Sequence, residues 1–272
     1  MPEAAHIKEC KKLIRAIKRK TYFPAALPVY ENVLAEIIAE QTAAGLNEDD
    51  AKKQATKLIL SRLHDVMRSA QQLVEEVINS RVSAGTIDNA DQARKTAAGN
   101  VFQQMLAYAI AQNIIIGNII KPVVVTMSVK NLIEQYASIK VDEDTLKPDS
   151  DVIVYSLDEG EKPIMNFSCK TSCRERAGQT YKWKLMCDLA TCNCAHKEGN
   201  PNCPVTRYNL TYTPSRQILT CFATTDFYDE LGNPQISAMF NFFDYSYIAK
   251  TTSPSDSVSI LETVVDDINQ VF

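Results

Sequence analysis

The chain changes texture at Lys121-Pro122, and that break limits what it can fold into. From Ala5 to about Ile120, apolar residues recur at three-and-four spacing in YENVLAEIIAE, AKKQATKLILSRLHDVMRSAQQLVEEVI and AAGNVFQQMLAYAIAQNIII, the period of helices with one buried face. Pro24, Pro28, AGLNEDD and SAGTIDNAD punctuate the run, so a bundle-like region of about four helices is expected. Beyond the break, VVVTM is short and β-branched, and KPDSDVIVYS and KPIMNFSCK flank the turn LDEGEK, the pattern of an antiparallel hairpin. SCRERAGQTYKWKLMCDLA reads as a helix, RQILTCFATTD and FNFFDYSYIA as strands, and DSVSILETVVDDINQVF as a last helix. Helices followed by β-β-α-β-β-α give an α/β class, a core sheet with helices on its faces.

Side-chain alternation sharpens the hairpin. In its second strand Met165, Phe167 and Cys169 share an apolar face, and Asn166, Ser168 and Lys170 share the other. Asp149 and Asp151 have the same parity, which puts both near the end of the partner strand, beside Lys170. Carboxylates and a lysine at adjacent strand ends suit metal-assisted phosphodiester hydrolysis. Such pairs are also common as plain surface ion pairs.

The residues on either side of Lys170 add a second signal. Pro148-Asp149, then Ser168-Cys169-Lys170, then Arg174-Glu175-Arg176 make an ordered set. In that order they resemble the PD-(D/E)XK type II restriction endonucleases, in particular the subgroup reading CCGG or split CC/GG sites, and within it the BsaWI-like enzymes. The resemblance implies a restriction-endonuclease-like fold, a mixed β-sheet core flanked by helices with a helical N-terminal region. It implies a helical region over 1–90 and a nuclease core over 91–272. It implies Mg²⁺ as cofactor, held by Asp149 and the Cys169 main-chain carbonyl, with Lys170, Ser168 and Gln103 completing the catalytic set; Asp151 is the alternative ligand.

Arg174 and Arg176 would be forks for guanine O6 and N7, and Glu175 would accept from cytosine amino groups. The implied substrate is double-stranded DNA with a palindromic CCGG-containing site, with A or T flanks in the BsaWI-like case, cut to leave 5′ overhangs. A palindrome implies a homodimer, or a tetramer. A cognate DNA methyltransferase would accompany the enzyme functionally in a prokaryotic cytoplasm. Two rival readings share these residues, a sequence-specific DNA-binding protein that does not cut and a structure-selective repair nuclease.

Ser172-x-x-Glu175 is also a capping box. That reading explains the glutamate but not two arginines whose charges oppose the helix dipole. Two departures from the subgroup stand out. Trp183 and Lys184 occupy the positions where relatives carry a further carboxylate, and KTAAGNVFQQ places Gln103 where they carry glutamate.

Other features are less directive. A net charge of -4 does not advertise nucleic-acid binding. Charge is nevertheless segregated, with seven Lys or Arg from Lys8 to Lys20, most simply a solvated helix face. No stretch approaches the roughly 20 apolar residues of a membrane span, and the N-terminus lacks a secretory pattern, so a cytoplasmic protein is expected. The eight cysteines would then be mostly reduced. Cys187, Cys192, Cys194 and Cys203, with His196, could build a zinc site, although their spacing is not a standard one.

Overall fold

The structure is a computed structural model that describes residues 3–127, 132, 138–158, 162–173, 176–191, 203–212 and 216–272. Five helices come first: α1 (Ala5–Ile17), α2 (Phe23–Ala43), α3 (Glu48–Leu58), α4 (Leu63–Ser83) and α5 (Ala90–Ile116). Local chemistry fixes the ends of α5. The Asn89 side chain accepts from the Gln92 amide, and Gly117 closes the helix at φ 83, a left-handed conformation that costs glycine little. From Val101 to Ile114 nearly every residue of α5 is buried, so it is the central post of the molecule rather than a half-exposed surface helix.

The strands form two sheets. The larger has the order β1 (Val123–Thr126), β4 (Val152–Ser156), β5 (Ile164–Lys170), β7 (Ile218–Thr224), β8 (Tyr245–Ile248), β9 (Ser259–Ile260). Its first three strands are antiparallel and β5 through β9 run parallel, so the sheet is mixed. The expected hairpin is β4–β5, with Val152 opposite Phe167; its turn at 159–161 lies outside the described residues. A second sheet, β3 (Asp144–Leu146), β2 (Ile139–Val141), β6 (Leu210–Tyr212), was not expected from the sequence. Its strands are too short to show a period. Two helices, α6 (Arg176–Ala190) and α7 (Pro204–Arg207), lie in the crossover from β5 to β7. Two more, α8 (Pro234–Ser237) and α9 (Val264–Val271), come after β7.

All seven residues of β5 are buried. Met165, Phe167 and Cys169 join Val152, Val154, Cys221, Ala223 and Tyr247 in the main core, which continues through α5 into α1, α2 and α4. One apolar cluster therefore joins the helical region to the sheet. Side chains of the size of Phe167 each stabilise the fold by about 1.5–3 kcal/mol when fully buried. On the other face Phe222 and Ile248 pack with Cys173, Ala177 and Phe240 beneath α6.

Two expected elements are shorter than their patterns suggested. The aromatic run FNFFDYSYIA is a strand only over Tyr245–Ile248. Ahead of it the chain winds into a 3-10 turn, Ala238–Phe242, as Phe240 and Phe243 fold onto Phe222. The last helix, expected from Asp256 onward, is confined to α9. Ser259 and Ile260 pair instead with Tyr247 and Ile248 as the edge strand β9, a tertiary contact that overrides local helical patterning. Among the described residues no helix is long and apolar enough to cross a membrane.

Candidate active site

Where β4 begins and β5 ends, three charged groups meet. Lys170 Nζ lies 2.7 Å from Asp149 Oδ2 and 3.0 Å from Asp151 Oδ2. The lysine side chain is only 7% exposed, the two carboxylates 31% and 18%. Burial alone would depress the lysine pKa, but Asp151 and Asp149 outweigh it, and the net shift is upward. Lys170 is therefore a cation held between two anions.

Backbone groups fix these side chains. The Asp151 amide donates to the Phe167 carbonyl, and Asp151 Oδ2 accepts from the Cys169 amide at 2.8 Å. Within a strand a residue's N–H and C=O point the same way, so the Cys169 carbonyl faces the side on which the aspartates sit. Asn166 joins this network, which sequence patterning did not single out. Its amide donates to the Asp149 carbonyl at 3.3 Å, and its Oδ1 accepts from the Ser150 hydroxyl. The signal was present, since Asn166 is a polar residue at the same parity as Lys170 inside a buried strand.

Ser168 takes a different place from the carboxylates. Its hydroxyl lies 2.9 Å from Thr180 Oγ1 and is buried, which ties β5 to α6. Gln103 is half-buried on α5, and no described contact joins it to the Lys170 cluster. Arg174 and Glu175 lie outside the described residues; Arg176 opens α6, but its side chain lies outside them too.

The expected capping box is half observable. Ser172 Oγ donates to Glu230 Oε2 at 3.0 Å, so the described partner of its hydroxyl is a carboxylate from another loop. Helix α6 carries Trp183 and Lys184 in its middle, and Lys184 pairs with Asp188 and Asp244; it serves the packing of α6 rather than the cluster. Of the proposed zinc ligands, Cys192, Cys194 and His196 lie outside the described residues. Cys187 and Cys203 are free thiols in a small apolar cluster, and burial pushes the Cys187 thiol up to about 12.

The donor set suits a hard divalent ion. Two carboxylates already converge on a single cationic atom, and a main-chain carbonyl faces the same side; oxygen donors of this kind are what Mg²⁺ prefers. Over residues 128–271 the chain matches the family described as BsaWI restriction endonuclease type 2. The chain belongs to that family. The match covers β2 through α9 and so includes both aspartates, Lys170 and the start of α6, whereas Gln103 and the first five helices precede it. No curated protein matches the chain. As a BsaWI-family protein it is a restriction endonuclease, a deoxyribonuclease whose substrate is DNA.

Proposed function

We propose that this BsaWI-family enzyme is a Mg²⁺-dependent homodimer that cuts both strands of a palindromic CCGG-containing site, with A or T flanks, leaving 5′ overhangs. The observation that carries the reading is the convergence of Asp149 and Asp151 on Lys170 at the junction of β4 and β5. In this assignment Asp149 and the Cys169 carbonyl hold the metal, with Asp151 close enough to share it. A bound Mg²⁺ would neutralise charge developing on the phosphate and acidify a water.

The protein's own groups do the rest. Lys170, whose pKa the neighbouring aspartates raise, would offer its ammonium to the scissile phosphate. Asp151 is fixed by the Cys169 amide, which stops it rotating away from the reacting centre. Ser168 acts indirectly, by tying the strand that carries Lys170 to the helix beyond the reading segment. Gln103 is the remaining polar candidate, a carbonyl able to orient a metal-bound water. Arg174, Glu175 and Arg176 read the bases, two bidentate forks and one acceptor matching the edges of G and C.

The same reading assigns 1–90 to a helical region and 91–272 to the nuclease core, with a cognate methyltransferase protecting host sites. Incubation with plasmid DNA and Mg²⁺, followed by sequencing of the ends, tests it. Discrete fragments ending in CCGG-derived overhangs are expected, and fragments with no common end sequence would sink the assignment.

A further inference from the structure

The residues after Lys170 lead from the lysine to the proposed reading segment, and the described ones among them, Thr171 to Cys173, are bonded to other parts of the chain. A loop after β7 supplies the partners. Thr225 donates its amide to the Lys170 carbonyl at 3.3 Å, and Phe227 donates its amide to the Thr171 carbonyl at 3.1 Å. Glu230 Oε2 then accepts from both the Ser172 hydroxyl at 3.0 Å and the Cys173 amide at 2.6 Å. Every residue from Lys170 to Cys173 is thus bonded to the 225–230 loop.

The loop is itself held firmly. Asp226 is buried and adopts a left-handed φ of 46, with its amide on Thr224 Oγ1 and its Oδ1 accepting the Glu230 amide at 2.8 Å. Lys250 donates to the Asp226 carbonyl at 2.9 Å. From the helical region, His64 Nδ1 lies 2.7 Å from the Thr225 carbonyl and Arg68 donates to the Phe227 carbonyl at 2.9 Å. The His64 ring packs edge-on against Phe227. Helix α4 therefore grips the loop that grips the turn.

We infer that Glu230 is a positioning residue for sequence discrimination: its carboxylate clamps Ser172 and Cys173 and so sets the aim of the segment that begins at Arg174. The inference rests on the base-reading role proposed for Arg174–Arg176. A charged acceptor shared by two donors is stronger than a neutral one and fixes direction as well as distance. Glu230 is no part of the Asp149–Asp151–Lys170 cluster, so its loss should act on selectivity rather than on hydrolysis at a correctly bound site.

The test compares cleavage of a CCGG duplex with that of duplexes altered at one base of the core, for wild type, Glu230→Ala, Glu230→Gln and Asp229→Asn, each checked by circular dichroism. Glu230→Ala should lower the ratio of cognate to altered-site kcat/KM by about tenfold or more, mainly through KM on the cognate duplex. Glu230→Gln, which keeps a carbonyl acceptor, should recover part of the ratio, and this variant decides the matter if the alanine form fails to fold. Asp229→Asn removes the charge that pairs with Lys250, itself a support of the loop, and should lower the ratio less than Glu230→Ala does. A folded Glu230→Ala or Glu230→Gln enzyme with wild-type selectivity, or an equal loss in Asp229→Asn, overturns the inference. A wild-type enzyme indifferent to the CCGG core overturns the proposed function instead, so the two failures are told apart.

Discussion

At Lys170 two opposing effects meet, and their balance decides what the residue can do. Burial disfavours the ammonium, whereas two carboxylates within 3.0 Å favour it, and the carboxylates win. Removing the lysine leaves two half-buried anions facing each other, so Lys170→Ala should strain the site as well as remove the proposed catalytic group. Lys170→Met, closer in shape, should fold and still lose cleavage by about a hundredfold or more. Asp149→Asn and Asp151→Asn should do the same while retaining selective DNA binding in Ca²⁺, measured by gel shift. Full cleavage by either asparagine variant would remove that residue from the metal set. The triad was legible in the sequence because strand parity is a local property, and both aspartates and the lysine lie on one hairpin. Glu230 was not, since 57 residues separate it from Cys173 and no local pattern announces a loop that folds back.

Among the elements, α5 shows how far periodicity reaches. Periodicity placed AAGNVFQQMLAYAIAQNIII in a helix but missed its start at Ala90, capped by Asn89 within the stretch read as a break, and the burial of Val101 to Ile114 emerges only once α1, α3, α4 and the sheet surround it. The short β2–β3–β6 sheet and the edge strand β9 stayed hidden for the complementary reason, that strands of two or three residues are defined by their partners. Asn113 marks the point where α5 is locked to its neighbours. Its amide donates to the Thr56 carbonyl at 2.7 Å and the Ala109 carbonyl at 2.9 Å, and its Oδ1 accepts from Asn118 at 2.8 Å. The side chain is fully buried. Asn113→Leu would take the Oδ1 acceptor from Asn118, which keeps the Lys53 carbonyl, and a side-chain donor from the Thr56 carbonyl, and should destabilise the protein by about 1–3 kcal/mol. Urea unfolding followed by circular dichroism checks this, and a midpoint equal to wild type would mean that the network relaxes around the change.

For the molecule as a whole, the α/β class and the succession of its longer elements could be read from the residues alone, because the helical run gives way to strand patterns at Lys121-Pro122. How one chain meets a two-stranded palindrome cannot be read that way. The net charge of -4 offers little general attraction to DNA, so the proposed reading puts affinity in local cations and base contacts. One chain carries one Arg174-Glu175-Arg176 segment and one Lys170 cluster. The proposed twofold site, with two scissile bonds, would then call for two chains, each reading half of the sequence and cutting one strand. Analytical ultracentrifugation on a cognate duplex should therefore give two chains per duplex, or four chains bridging two duplexes. A duplex with one half-site scrambled should bind weakly and resist double-strand cleavage. Efficient double-strand cutting by a complex of one chain per duplex would contradict the symmetric arrangement, and with it the assignment of one reading segment to each half-site.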